Sequence, residues 1–282
     1  MEDYRKNWGE CLRMIREKVA DDHAYDVWFS GIVMDGYDVE RNELVLRVPS
    51  RYVYEYLEMY CVKLLSQVLS ANFKPGVRLS YRVEKEAAVQ AQQGFDANVD
   101  NQRISVPNAR KRLEDGLRHF LGDEYKWLPE YDKVAGWLTD NKGRGLLLVG
   151  APGLGKTMLC TKILPVILGR KVPVVSAQEM NSRIDELLKE KCVIIDDLGK
   201  EPVEIRNYGN RRTPFFELCD AAEKNGSVLI ITTNLATTPK PQGWNGPYPY
   251  PTSIEERYGQ AVSSRLRAII RVVLLEGEDM RH

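Results

Sequence analysis

Histidine is scarce, with three residues far apart in a chain of 282, which leaves a zinc site little to build on. Cysteine is no better placed. Cys11, Cys61, Cys160, Cys192 and Cys219 are odd in number and form no C-x-x-C pair, so neither a disulfide framework nor a metal knuckle is indicated. Cys160 and Cys192 lie in apolar segments, as buried thiols of a reduced, cytoplasmic protein would. No apolar run approaches the length of a membrane span, and no secretory signal precedes the first helical pattern, so no membrane partner is expected. An excess of one charge is missing too, since 40 Lys+Arg balance 40 Asp+Glu. The split is roughly −2 over residues 1–84 and roughly +3 over 107–282, so nucleic acid would be gripped by a local patch and not by a general field. Repeats and low-complexity tracts are absent.

What is present is a phosphate loop. Gly150, Ala151, Pro152, Gly153, Leu154, Gly155, Lys156 and Thr157 fit G-x-x-x-x-G-K-[ST] without a mismatch. The loop follows the apolar run Leu146–Val149 and precedes the helix-compatible stretch that opens at Met158. Glycines let backbone N–H groups turn inward onto phosphate, and the following helix adds the positive end of its dipole. Lys156 would reach the β- and γ-phosphates, and Thr157 would hold Mg²⁺. A Gly-rich strand–helix turn that binds nothing is the bland alternative. The register of strand, lysine and helix argues against it.

A second apolar run, Cys192-Val-Ile-Ile, ends in Asp196 and Asp197. Such a run suits a central parallel strand, whose C-terminal end opens beside the phosphate loop. Asp196 is then the metal-side acid. Asp197 is the candidate that orients and polarises the attacking water.

Length and a hydrophobic content of 43% suggest two globular domains. Residues 1–84 read as a small α+β unit, with helices over 4–19 and 23–29 and a hairpin of strands 31–37 and 43–48. A third helix follows Pro49 and Ser50, and a strand spans 77–83. Residues 85–106 are polar with few apolar anchors and read as a flexible linker. From 107 to 282 helices alternate with strands at 146–149, 173–176, 192–196, 227–233 and 270–275, which predicts a parallel, doubly wound five-stranded sheet.

The motifs of residues 107–282 resemble the AAA+ ATPases, in particular their helicase-loader and transposition-helper branch (DnaC, DnaI and IstB-like). The match lies in the phosphate loop, Ile194-Ile-Asp-Asp-Leu-Gly199, Ile231-Thr-Thr-Asn234, Arg257-Tyr-Gly259 and Ser264-Arg-Leu266. The resemblance implies ATP and Mg²⁺ as cofactors and oligomerisation through this domain. It also implies that Asn234 is the sensor that positions water, and that Arg265 is an arginine finger acting on the neighbouring subunit, with Arg267 as its rival. The Asp-Asp pair stands where most AAA+ proteins have Asp-Glu. Its second carboxylate is one methylene shorter, so slow intrinsic hydrolysis fits.

Residues 1–84 resemble the KH-like N-terminal domain of the bacterial initiator DnaA, through Trp8, Leu12, Val27-Trp-Phe29, Leu44–Val53 and Tyr60. That implies contacts with a replicative helicase or another replisome protein. There is no G-x-x-G clamp, so RNA binding is not implied.

Three departures from these families stand out. The sequence leads to the expectation of no C-terminal DNA-reading domain and no lid after residue 275, with only a short stretch, 177–191, where loaders insert DNA-gripping helices. Single-stranded DNA contact would fall to residues 200–213, with Lys200, Arg206, Arg211 and Arg212, or to the aromatic loop 237–253, with Trp244, Tyr248 and Tyr250. Either segment is otherwise an ordinary solvated or self-packed surface. The leading expectation is an ATP-dependent replication accessory factor of helicase-loader or initiator type. An IstB-like transposition helper and an ATP-gated adaptor with negligible turnover are the alternatives.

Overall fold

The computed structural model describes residues 4–84, 103–122, 125–169, 171–207, 210–239 and 252–277. Linker residues 85–102, Tyr208 and the aromatic loop residues 240–251 lie outside the described residues. The chain forms two compact units, one of Met1–Phe95 with Glu114–Tyr125, the other of Asp96–Leu113 with Lys126–His282.

The first unit is α+β, as its sequence predicts. Helix α1 (Tyr4–Val19) buries Trp8, Cys11 and Ile15 at helical spacing. Helix α2 (Asp22–Trp28) is capped by Asp21, which accepts from the Ala24 N–H. Strands β1 (Val33–Asp38) and β2 (Glu43–Val48) form the expected hairpin, and a later strand, β3 (Arg78–Val83), pairs parallel to β2. Between β2 and β3 the chain is helical: α3 (Arg51–Tyr56), a π-turn over Leu57–Cys61, and α4 (Val62–Asn72). Ser50 caps its start, accepting from the Val53 N–H. The buried positions Val53, Leu57, Cys61, Leu65 and Val68 recur mostly every four residues. An α-helix turns every 3.6 residues, so that stripe would drift; the wider π-turn keeps it facing the core.

Helix α5 (Ala109–Leu121) departs from the expected domain split, because Glu114–Tyr125 clusters with the first unit. The cause is aromatic. Trp28 stacks on Tyr56 at 3.5 Å, and His119 and Phe120 lie 4.9 and 5.7 Å from Trp28. Burial lowers the His119 pKa to about 4, so the ring packs there uncharged.

Residues 103–106, expected as the end of a linker, are instead fixed in the second unit. Arg103 pairs with Asp140 at 2.9 Å, the Ile104 N–H donates to Asn141 Oδ1, and Ile104 and Val106 are buried. From there the elements run α6 (Pro129–Thr139), β4 (Gly145–Val149), α7 (Lys156–Met158), a π-turn over Leu159–Ile163 and α8 (Leu164–Ile167). Then follow β5 (Val174–Ser176), α9 (Ala177–Ser182), α10 (Ile184–Leu187), β6 (Cys192–Leu198) and a hairpin of β7 (Ile205–Asn207) and β8 (Asn210–Arg212). Last come α11 (Pro214–Asn225), β9 (Val228–Thr233), α12 (Ile254–Tyr258), α13 (Gln260–Ile269) and β10 (Ile270–Leu274). Five strands make one parallel sheet in the order β10-β4-β9-β6-β5. Every residue of β4 and β9 is buried, as central strands covered on both faces require.

The β7–β8 hairpin lies inside the segment read as a charge run, and its strands show no apolar alternation to betray it. Arg212 there is bound to Asp185 and Glu217 at 2.8 and 2.6 Å. Among the described residues no helix is long and apolar enough to cross a membrane. All five cysteines are free and buried.

The β4–β9 contact leaves no room at Gly145. A Cβ there would sit 2.2 Å from the Leu229 carbonyl oxygen, beside the Trp137 Nε1 hydrogen bond to the Gly145 carbonyl. Gly145→Ala is therefore expected to lower stability by about 3 kcal/mol, measured by urea unfolding. A loss below about 1 kcal/mol would show that the strands can part without strain.

Candidate phosphate site

Strand β4 and helix α7 hold the loop between them, and two of its glycines have backbone angles that other residues avoid: φ is 86° at Gly153 and 72° at Gly155. Gly150 is constrained by space, since a Cβ would lie 2.6 Å from the Leu275 carbonyl oxygen. The Lys156 side chain is buried, and its Nζ donates to the Gly150 and Ala151 carbonyls at 2.8 Å each. The ammonium thus folds over the mouth of its own loop. Met158 ends α7, and Leu154 is buried behind the loop.

The acidic strand arrives alongside. Thr157 Oγ1 donates to Asp196 Oδ1 at 3.0 Å, which puts the two expected metal ligands in contact. Thr232, on the adjacent β9, donates to the same oxygen at 2.6 Å. Its hydroxyl also accepts from the Asp197 N–H at 2.8 Å. Here the β6–β9 register shifts between Ile195 and Leu198. Asp197 occupies that bulge with φ of 59°, an uncommon conformation for a residue with a side chain. Its carboxylate is held by Lys200 Nζ at 2.7 Å. Thr232 had no role in the sequence reading, and Lys200 entered it only as a candidate contact to single-stranded DNA. Thr232 was visible only as part of Ile-Ile-Thr-Thr-Asn.

Asn234 follows the end of β9, between the phosphate-loop strand and the acidic strand. Its Oδ1 is buried and meets no partner, so it is an acceptor in want of a donor such as water. The loop, the Thr157–Asp196 pair and this orphaned acceptor fit a nucleoside triphosphate with its divalent cation. Among the described residues no group of three or more His, Cys, Asp or Glu gathers into a metal cage. A cation here would rest on Thr157, Asp196 and phosphate oxygens, as Mg²⁺ does. Burial pushes the Cys160 thiol well up, with Asp196 adding to the effect, so it stays a neutral neighbour.

Arg265 stands apart from these groups. It projects from α13 onto α11, 3.4 Å from Asp220 and 3.2 Å from Glu223, with its guanidinium over Phe216. Arg267 is more exposed and lies 4.0 Å from Glu255.

Residues 5–71 match the DnaA N-terminal domain family, and residues 128–237 match the family described as Novel STAND NTPase 3. The chromosomal replication initiator DnaA of Flavobacterium psychrophilum is 26% identical, the alignment covering 81% of this chain and 57% of that protein. DnaA of Bacteroides fragilis is also 26% identical, over 81% and 55%. The chain spans little more than half the length of these relatives. Solved structures of DnaI (19% identical, TM-score 0.36, 61% of this chain and 82% of that one) and of AMPPCP-bound DnaA from Aquifex aeolicus (17%, 0.36, 55% and 50%) are more distant. The fold assignment rests instead on the strand order and the loop.

A parallel sheet with β9 inserted between the phosphate-loop and acidic strands defines the second unit as a nucleotide-binding P-loop NTPase domain of AAA+ type. With the DnaA N-terminal domain match ahead of it, the chain is similar to the DnaA initiators at 26% identity.

Thr232→Val keeps the shape and removes both hydrogen bonds. The Asp197 N–H is then unpaired, and stability should fall by about 1–3 kcal/mol in a urea melt. An unchanged midpoint would mean that the bridge contributes nothing.

Proposed function

We propose that this protein is an ATPase of DNA replication initiation. The DnaA-type domain, residues 1–84, recruits a replicative helicase or another replisome protein. The AAA+ domain, residues 107–282, oligomerises on ATP and turns over to remodel or load that partner on DNA, single-stranded DNA being the candidate for residues 200–213 and 237–253. The observation that carries this reading is the Thr157–Asp196–Thr232–Asp197 chain beside the phosphate loop, in a protein that also bears a DnaA-type domain.

The roles follow from position. Lys156 exchanges its two carbonyl contacts for the β- and γ-phosphates. Thr157 and Asp196 hold Mg²⁺, which supplies charge neutralisation at the phosphates. Asp197 polarises the attacking water, and the free Oδ1 of Asn234 orients it. Arg265 serves a neighbouring subunit, for which it must leave Asp220 and Glu223. Lys200 neutralises Asp197 in the isolated chain, and this favours slow basal turnover that rises when a partner draws the lysine away.

The test is binding of a fluorescent ATP analogue together with multiple-turnover hydrolysis, with and without single-stranded DNA and partner. Lys156→Ala should abolish binding while leaving the melting temperature in place. Asp197→Asn should keep binding and lose about 100-fold or more in turnover. Native affinity in Lys156→Ala would sink the nucleotide site, and parent-rate hydrolysis in Asp197→Asn would move the water-polarising role elsewhere. Pull-down through residues 1–84 that returns a transposase instead of a hexameric helicase would overturn the replication reading.

A further inference from the structure

Glu201 is a buried carboxylate, 1% exposed, just beyond the acidic strand. A carboxylate taken out of water is costly unless its oxygens find donors, and here each oxygen has one. Oε2 accepts from the Gly199 N–H at 2.9 Å, and Oε1 accepts from the Tyr258 hydroxyl. The backbone carbonyl of Glu201 accepts from the Arg257 guanidinium. Burial first, and then Glu201, push the Tyr258 phenol well above its usual range, so it remains a donor. The far side of the same loop is held by Asn181, whose Nδ2 donates to the Pro202 carbonyl at 2.8 Å.

Two parts of the site meet at this residue. Gly199, with φ of 109°, is two residues from Asp197, whose own φ is 59°. A Cβ on Gly199 would press on Leu235, next to Asn234. Arg257 and Tyr258 end α12, and only Gly259, with φ of 86°, separates them from α13, which carries Arg265. Tyr258 also packs on Phe215 of α11, with ring centres 4.9 Å apart.

We propose that Glu201 is a positioning residue for hydrolysis, joining the loop that aims Asp197 to the α12–α13 segment that carries Arg265. The proposal rests on the ATPase reading above. Through this carboxylate, a shift of Asp197 as the γ-phosphate binds or leaves is felt at α12, and a subunit docking against α13 is felt at Asp197. ATP affinity depends on the phosphate loop, which Glu201 does not touch.

Tyr258→Phe removes one hydroxyl and leaves the ring packed on Phe215. Glu201→Gln keeps the shape and removes the charge. Each is measured for analogue affinity, bound nucleotide per chain, melting temperature, and kcat and KM for ATP. The expected result is kcat lowered roughly fivefold to tenfold, the equivalent of one hydrogen bond, with analogue affinity within twofold. The double variant should be no slower than the worse single one, because both cut the same link. Unchanged kcat in folded Tyr258→Phe overturns the proposal. So does a loss of kcat matched by an equal loss of nucleotide-binding chains, which marks a purely structural residue. If the parent chain itself neither binds nor hydrolyses ATP, the ATPase reading fails and this one with it. Normal parent turnover with unaffected variants fails the link alone.

Discussion

The Thr232 hydroxyl is the point on which the phosphate site is built. It donates a hydrogen bond to the Asp196 carboxylate and accepts one from the Asp197 N–H, so a single oxygen ties down both acidic residues of the strand. That is possible only because β9 lies between β4 and β6 and brings its last residues level with the phosphate loop. The bulge at Asp197 follows from the same bond. Without the Thr232 acceptor, its N–H would be buried unpaired in a left-handed conformation that costs energy in its own right. The next residue, Thr233, does the same for the following turn, donating to the Leu198 carbonyl and accepting from the Leu235 N–H. Adjacent threonines at the end of one strand thus hold the exit of its neighbour.

The parallel sheet was legible because its central strands β4 and β9 are buried on both faces and β6 over its first four residues, so these runs are almost wholly apolar. The five expected strands are those observed, with shifts of at most two residues at their ends. The meeting of Thr157 with Asp196 was legible because the phosphate-loop motif fixes residue types at fixed spacing between a strand and a helix. What escaped depends on partners remote in sequence. The β7–β8 hairpin has no apolar face of its own. Glu201 reads as one more acid in a charged loop until Tyr258 is placed beside it. Nothing near Arg265 in the chain indicates that Asp220 and Glu223 will claim it, since they come from a helix some forty residues earlier.

The first unit shows the same contrast. Its three helical stretches and its hairpin follow from periodicity and from the Ser50 cap. The π-turn over Leu57–Cys61 was not read from the sequence, where this stretch passes as one amphipathic helix. The inclusion of Glu114–Tyr125 was not implied, because His119 and Phe120 look like ordinary members of an amphipathic helix until Trp28 and Tyr52 meet them.

The complete burial of the thiols has a practical side. Cys11 and Cys61 sit in the first unit and Cys160, Cys192 and Cys219 in the second, and burial raises the pKa of Cys11 to about 11 and of Cys61 to about 12. A thiol-directed reagent meets neither an exposed sulfur nor a thiolate while the units are closed. Its uptake therefore clocks breathing of each core separately. The native protein supplies its own opening sensors, two in one unit and three in the other.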